Sequence, residues 1–291
     1  MARWSKLFLA AFALSSIQQP AEALDNVGVH HMVVPSDERG GNLDVTVWYP
    51  AKPGGKQVVL GESKFFVGTP AMDAAPISES TFPIILLSHG AGLAGNPQSM
   101  SWIAVPLAQK GFVVAAPTHP GGSGGNRSAA ETMRIWKRPA DLTETLDGIE
   151  QSTFFREHLE RGKVGVVGLS MGGTTALAVA GARIDPRLLA AYCDTDANNA
   201  SLCEWVRQSG VDLHSMDLQS ADRDNRDNRI KFAVVIDPAP IDVFDIESFS
   251  RISIPVNLIN LGRPGEIPST AQASEAAGTD RQVELFRCHG R

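Results

Sequence analysis

The six residues Gly168-Leu169-Ser170-Met171-Gly172-Gly173 place a serine between glycines two positions before and two positions after it. An apolar run, Val164 to Val167, precedes them, and a run of small residues from Thr174 to Gly181 follows. A strand that turns sharply into a helix needs this spacing, because only small residues let the two elements approach. The turn lifts the serine hydroxyl above a sheet. It also sets the Met171 amide at a helix start, facing any oxyanion that forms. The chemistry this suits is attack of a serine oxygen on an acyl carbonyl. A serine hydroxyl is a weak nucleophile, so it needs a base, an acid to orient that base and a second oxyanion donor.

Ser88-His89-Gly90-Ala91-Gly92 follows another apolar run and offers backbone amides free of bulky side chains. The amides of Ala91 and Met171 form the candidate donor pair. His89 reads as a residue that fixes this loop. His119, in the loop after Phe112–Ala116, reads the same way, with lining of the pocket as its alternative. Two carboxylates follow the serine at strand ends. Asp237, in Ile236-Asp237-Pro238, stands directly at the end of its strand and is the first choice for the acid; Glu266, several residues into a loop, is the alternative. The order serine, acid, histidine then leaves His289 as the base, since His214 precedes both acids.

These residues need elements to carry them. Asp44–Tyr49 alternates polar and apolar residues, as a strand with one buried face does. Phe82–Leu87, Phe112–Ala116, Val164–Gly168, Lys231–Ile236 and Ile254–Ile259 read as further strands, with Val283–Phe286 as a short last one. Lys52 to Pro76 is richer in Gly and Pro and reads as a loop. Helical spacing runs over Ser99–Gln109, begins again at Arg138 and returns at Thr174–Gly181. Strands alternating with helices predict an α/β fold, a mostly parallel central sheet with helices on both faces. Residues 194–229 turn polar and read as an insertion, partly helical, over one sheet edge.

With the chemistry and its frame in place, the chain resembles the dienelactone hydrolase-like branch of the α/β-hydrolases, near the platelet-activating-factor acetylhydrolases. Asp44–Pro50, Leu87–Gly92, Ala116-Pro117-Thr118-His119-Pro120-Gly121 and Gly168–Gly173 carry the resemblance, which spans roughly residues 30 to 270. It implies an esterase with a Ser-His-acid triad, no metal and no cofactor, acting on short-chain esters that include acetyl groups of modified phospholipids. It also implies Ser170 as nucleophile, Ala91 and Met171 as oxyanion donors, and Asp237 as an acid one strand after the nucleophile. The family usually has a small residue and a Gly before the histidine and an aromatic residue after it. Arg287-Cys288-His289-Gly290-Arg291 departs from that pattern. This departure supports an alternative, a catalytically impaired hydrolase that serves as a binding module.

Composition narrows the setting. Of 291 residues, 43% are hydrophobic and 20% charged, and the formal net charge is −6. An acidic chain of this kind gains no electrostatic help in binding nucleic acid or anionic membranes. Arg3 and Lys6, the apolar run Leu7–Leu14 and Ala21-Glu22-Ala23 have the order of a cleavable export signal, residues 1–23, followed by a single domain over 24–291. The apolar run is too short for a stable membrane anchor. The expected setting is therefore periplasmic or extracellular, with a small-molecule ester as partner. For the three cysteines two readings stand level. Cys193 and Cys203 pair across a short loop and leave Cys288 odd, or all three are unpaired. Asp194, Asp196 and Asn198 have calcium-like spacing but lack the turn glycine and closing glutamate of a calcium loop. Gly121–Gly125 lacks the Lys-Ser/Thr of a phosphate loop.

Overall fold

A computed structural model describes residues 26–64, 66–92, 95–122 and 127–262, and the backbone of strand 283–288. The strands are β1 (Val27–Ser36), β2 (Gly41–Pro50), β3 (Lys56–Leu60), β4 (Thr69–Asp73), β5 (Phe82–Ser88), β6 (Val113–Pro117), β7 (Leu159–Leu169), β8 (Ile230–Ile236), β9 (Val256–Leu261) and β10 (Val283–Cys288). The helices are α1 (Ser101–Gln109), α2 (Ala129–Met133), α3 (Arg138–Gln151), α4 (Met171–Ala180), α5 (Pro186–Ala190) and α6 (Ala200–Gln208). The strands form one 10-stranded sheet in the order β10-β9-β8-β7-β5-β6-β2-β1-β4-β3. Pairing is parallel from β10 through β6, antiparallel between β6 and β2 and between β2 and β1, and parallel again between β1 and β4.

The apolar runs are explained by burial on two faces. Ile84 and Leu86 of β5 join one core with Leu142, Leu146 and Ile149 of α3 and Leu177 of α4. Their neighbours Ile85 and Leu87 point the other way and join Met100, Ala104, Val105 and Ala108, which α1 and the turn before it supply. Successive side chains on a strand alternate faces, so a strand covered on both sides has no polar positions.

The Lys52–Pro76 loop expected from composition is corrected by β3 and β4, which pair antiparallel within it. Pro70 misled the reading. It is tolerated because β4 touches β1 only at Met72 and Asp73, so Pro70 has one strand neighbour and its missing N–H breaks no second ladder. Strand β1 had no counterpart among the sequence expectations. Its middle residues His30, His31 and Met32 are each at least partly exposed, on both faces of the strand, which hides the alternation.

The polar segment over 194–229 contains α6 and packs on the helical layer beside α2. Arg127 lies over the Trp205 ring at 5.0 Å, and Arg223 donates to Glu38 at 2.8 Å. A disulfide joins Cys193 and Cys203, which decides between the two cysteine readings. Asp194 pairs with His214 and Asp196 with Arg207, so both carboxylates of the calcium-like spacing are engaged. Among the described residues no helix is long and apolar enough to cross a membrane.

Candidate active site

The parallel strands bring their carboxyl ends into line. Ser88 stands opposite Gly168, and Leu169 opposite Ile236, which in turn stands opposite Ile259. Residues just beyond these ends share one edge of the sheet, where open α/β sheets place their sites.

Ser170 follows β7 and caps α4 with φ 55° and ψ −122°, a conformation side-chain-bearing residues rarely adopt. Neighbouring backbone holds it there. Its N–H donates to the Ile236 carbonyl at 2.9 Å, and its own carbonyl accepts from Gly173 at 2.8 Å and Ala239 at 3.2 Å. The glycines are required by contact. A Cβ on Gly168 would meet the Gly172 carbonyl oxygen at 2.0 Å, and one on Gly172 would meet the Ser88 oxygen at 1.9 Å. Met171 opens the helix, so its N–H lies among those with no intrahelical acceptor.

Asp237 also has positive φ, 42°, directly after β8. Its Oδ1 accepts from the Asn260 side chain at 3.1 Å and from the Leu261 amide at 2.9 Å. The carboxylate thus leans toward the end of β9. There β10 runs alongside, with Cys288 in register with Leu261. His289, the next residue, and Glu266, the alternative acid, lie outside the described residues.

Behind the Ala91 loop is a buried polar series. Ser88 Oγ lies 2.9 Å from His119 Nε2, and His119 Nδ1 lies 2.7 Å from Asp141 Oδ2. Arg39 grips Asp141 with two bonds of 2.8 Å. The His119 N–H donates to His89 Nε2 at 3.0 Å, so Nδ1 of His89 carries the proton and donates to the Gly90 carbonyl at 2.8 Å. Arg138 Nη2 donates to the His89 carbonyl. Burial holds both histidines well below the usual imidazole range, and neighbouring positive charge adds to the effect. Burial pushes the Asp141 carboxyl up, against the pull of Arg39 and Arg138. The guanidinium of Arg138 is pushed down to about 9 by burial and is still charged at neutral pH.

His89 and His119 are therefore both loop-fixing, as expected. Arg138, Asp141, Arg39 and Ser88 were missed. The one available signal was Arg138 and Asp141 three apart at the start of a helix whose other inward positions, Thr145 apart, are apolar. Ala91 and Met171 border one small cavity together with His89, His119 and Arg138.

A family model described as "Alpha/beta hydrolase family" matches residues 84–271. The chain belongs to the alpha/beta hydrolase family. No curated protein matches the chain. Several solved structures share this hydrolase's fold. A ferulic acid esterase from Streptomyces cinnamoneus is 18% identical with a TM-score of 0.54, over 94% of this chain and 75% of the esterase. A dienelactone hydrolase from Anabaena variabilis is 15% identical with a TM-score of 0.51, over 90% and 85% of the two chains. An acylaminoacyl peptidase from Pyrococcus horikoshii is 11% identical with a TM-score of 0.52, over 92% of this chain and 38% of the peptidase. At these identities the likeness is one of fold.

Proposed function

We propose that this hydrolase is an exported serine carboxylester hydrolase acting on short acyl esters, acetyl esters of modified phospholipids among them. The observation that carries the reading is Ser170, held at φ 55° between strand and helix with the Met171 amide beside it. In this reading Ser170 attacks the ester carbonyl while His289 takes its proton. Asp237 orients the imidazole, and the Ala91 and Met171 amides receive the oxyanion. The alcohol leaves with the proton from His289. Water, activated by the same histidine, then releases the acid and restores the serine.

Asp237 supports its part by leaning toward the end of β9, next to the strand that His289 follows. The Cys193–Cys203 disulfide supports export, since such bonds persist in oxidising compartments. The ester class draws support from the fold shared with a ferulic acid esterase and a dienelactone hydrolase. The test is a fluorophosphonate label with mass-spectrometric site assignment, run beside p-nitrophenyl acetate turnover. Labelling confined to Ser170, with turnover blocked in proportion, is the expected result. Turnover without Ser170 labelling overturns the reading.

A further inference from the structure

The inner side of the Ala91 loop holds more charge than packing needs. Arg138 opens α3 and is only 4% exposed. Its Nη2 donates to the His89 carbonyl and lies 3.5 Å from that of Gly90. Its Nε and Nη1 are buried with no hydrogen-bond partner among the described residues. A cation with unfilled donors is costly to bury, and an apolar side chain of similar volume would avoid that cost.

Its position shows what the charge does. In a trans peptide the C=O and N–H point in opposite directions. The Gly90 carbonyl is held on the inner side by His89 Nδ1–H and faces Arg138. The Ala91 N–H therefore points away from the guanidinium. The elbow lies directly against this backbone, for a Cβ on Gly172 would meet Ser88 O at 1.9 Å and His89 O at 3.0 Å.

We propose that Arg138 is a positioning residue for the oxyanion site, holding the His89 and Gly90 carbonyls inward so that the Ala91 N–H meets the acyl oxygen on Ser170. Its positive charge stands behind the Gly90–Ala91 peptide and strengthens that amide as a donor. This rests on the reading of Ser170 as nucleophile. Asp141, itself held by Arg39 and His119, balances the charge from the next turn of α3. The contribution appears only as negative charge builds on the substrate oxygen. It therefore acts on kcat and leaves KM nearly unchanged.

The experiment compares the full chain with its Arg138→Met, Arg138→Lys and Ser170→Ala variants on p-nitrophenyl acetate and on the matching thionoester. Sulfur accepts hydrogen bonds poorly, so a thionoester draws little from an oxyanion donor. Arg138→Met is expected to lower ester kcat about 100-fold, the order seen when one oxyanion donor is removed. KM should stay within about threefold, and the ester-to-thionoester ratio should fall at least about tenfold, since only the ester uses the donor fully. Arg138→Lys keeps the charge without the planar fork and should fall between. A folded Arg138→Met with an unchanged ratio overturns the inference, and so does a drop in kcat shared equally by both substrates. Where Arg138→Met does not fold, the ratio in Arg138→Lys decides by the same criterion. Turnover that survives in Ser170→Ala overturns the nucleophile reading and this inference together, whereas an inactive Ser170→Ala beside an unchanged ratio overturns this inference alone.

Discussion

Two serines stand at neighbouring strand ends of this molecule, Ser88 closing β5 and Ser170 just after β7. Ser88 has the complete hydrogen-bonded series to an imidazole and on to a carboxylate, at 2.9 and 2.7 Å. Yet Ser88, His119 and Asp141 are all at most 2% exposed, and no acyl group can reach them. Burial also holds His119 well below the usual imidazole range, which opposes the proton uptake a general base must perform. Ser170 lies two residues beyond Gly168, the ladder partner of Ser88, and is half-buried in a turn that raises it above the sheet. The contrast teaches that the serine–imidazole–carboxylate series does not by itself make a nucleophile. Backbone position, access and waiting oxyanion donors do.

The sharpest way to break the contrast is to exchange the fates of the two serines. Ser170→Ala should lower kcat for p-nitrophenyl acetate by about 10⁴-fold or more. Ser88→Ala should keep activity within about tenfold and remain labelled by fluorophosphonate, because it loses one buried bond of ordinary net worth. Equal losses in both variants would erase the distinction.

The two carboxylates should fail in different ways. Asp237→Asn retains an acceptor oxygen for the Asn260 and Leu261 amides. It should therefore melt close to the parent while kcat falls about 10³- to 10⁴-fold. Asp141→Asn removes the buried charge that balances Arg39 and Arg138, leaving Arg39 only Glu131 at 3.8 Å, and should cost about 3–5 kcal/mol of stability in denaturant unfolding. A stable Asp141→Asn would show that the buried series is dispensable.

The smallest effect is a slope with pH. His89 and His119 have folded pKa values depressed below the unfolded value, so their neutral forms stabilise the fold above about pH 6.5 and this is lost as pH falls. Each lowers unfolding free energy by about 0.7 kcal/mol per pH unit at pH 6.5, a slope that approaches about 1.4 kcal/mol a pH unit or more below. His30, also lowered by burial, adds in the same sense, while Asp141, raised, acts with the opposite sign nearer the carboxylate range. Urea titrations at pH 7.0, 6.0 and 5.5 measure the slope, and His119→Gln should flatten it.

Much of the fold could be read from local pattern, since parallel strands buried on both faces leave continuous apolar runs and Gly168 and Gly172 are demanded by backbone contact. The place of Asp237 directly at a strand end was legible from the apolar run before it. The buried series was not, because its members are far apart in the chain. Arg39 and Asp141 are separated by 102 positions, and Ser88 and His119 by 31. Each alone looks like an ordinary surface residue, and only the sheet order brings them together. Strands β1, β3 and β4 escaped because half-exposed faces and a proline leave no clean alternation.

Arg39 sits on the turn joining β1 to β2, well before residue 84, where the match to the family begins. The antiparallel extension is therefore not a detachable decoration. A fragment trimmed to the matched segment would leave Asp141 buried without the two bonds of 2.8 Å that Arg39 supplies. The minimal autonomous unit of this hydrolase accordingly reaches back to that turn. Permutations or fusions that separate the hairpin from α3 should be made with Arg39 kept on the α3 side of the cut.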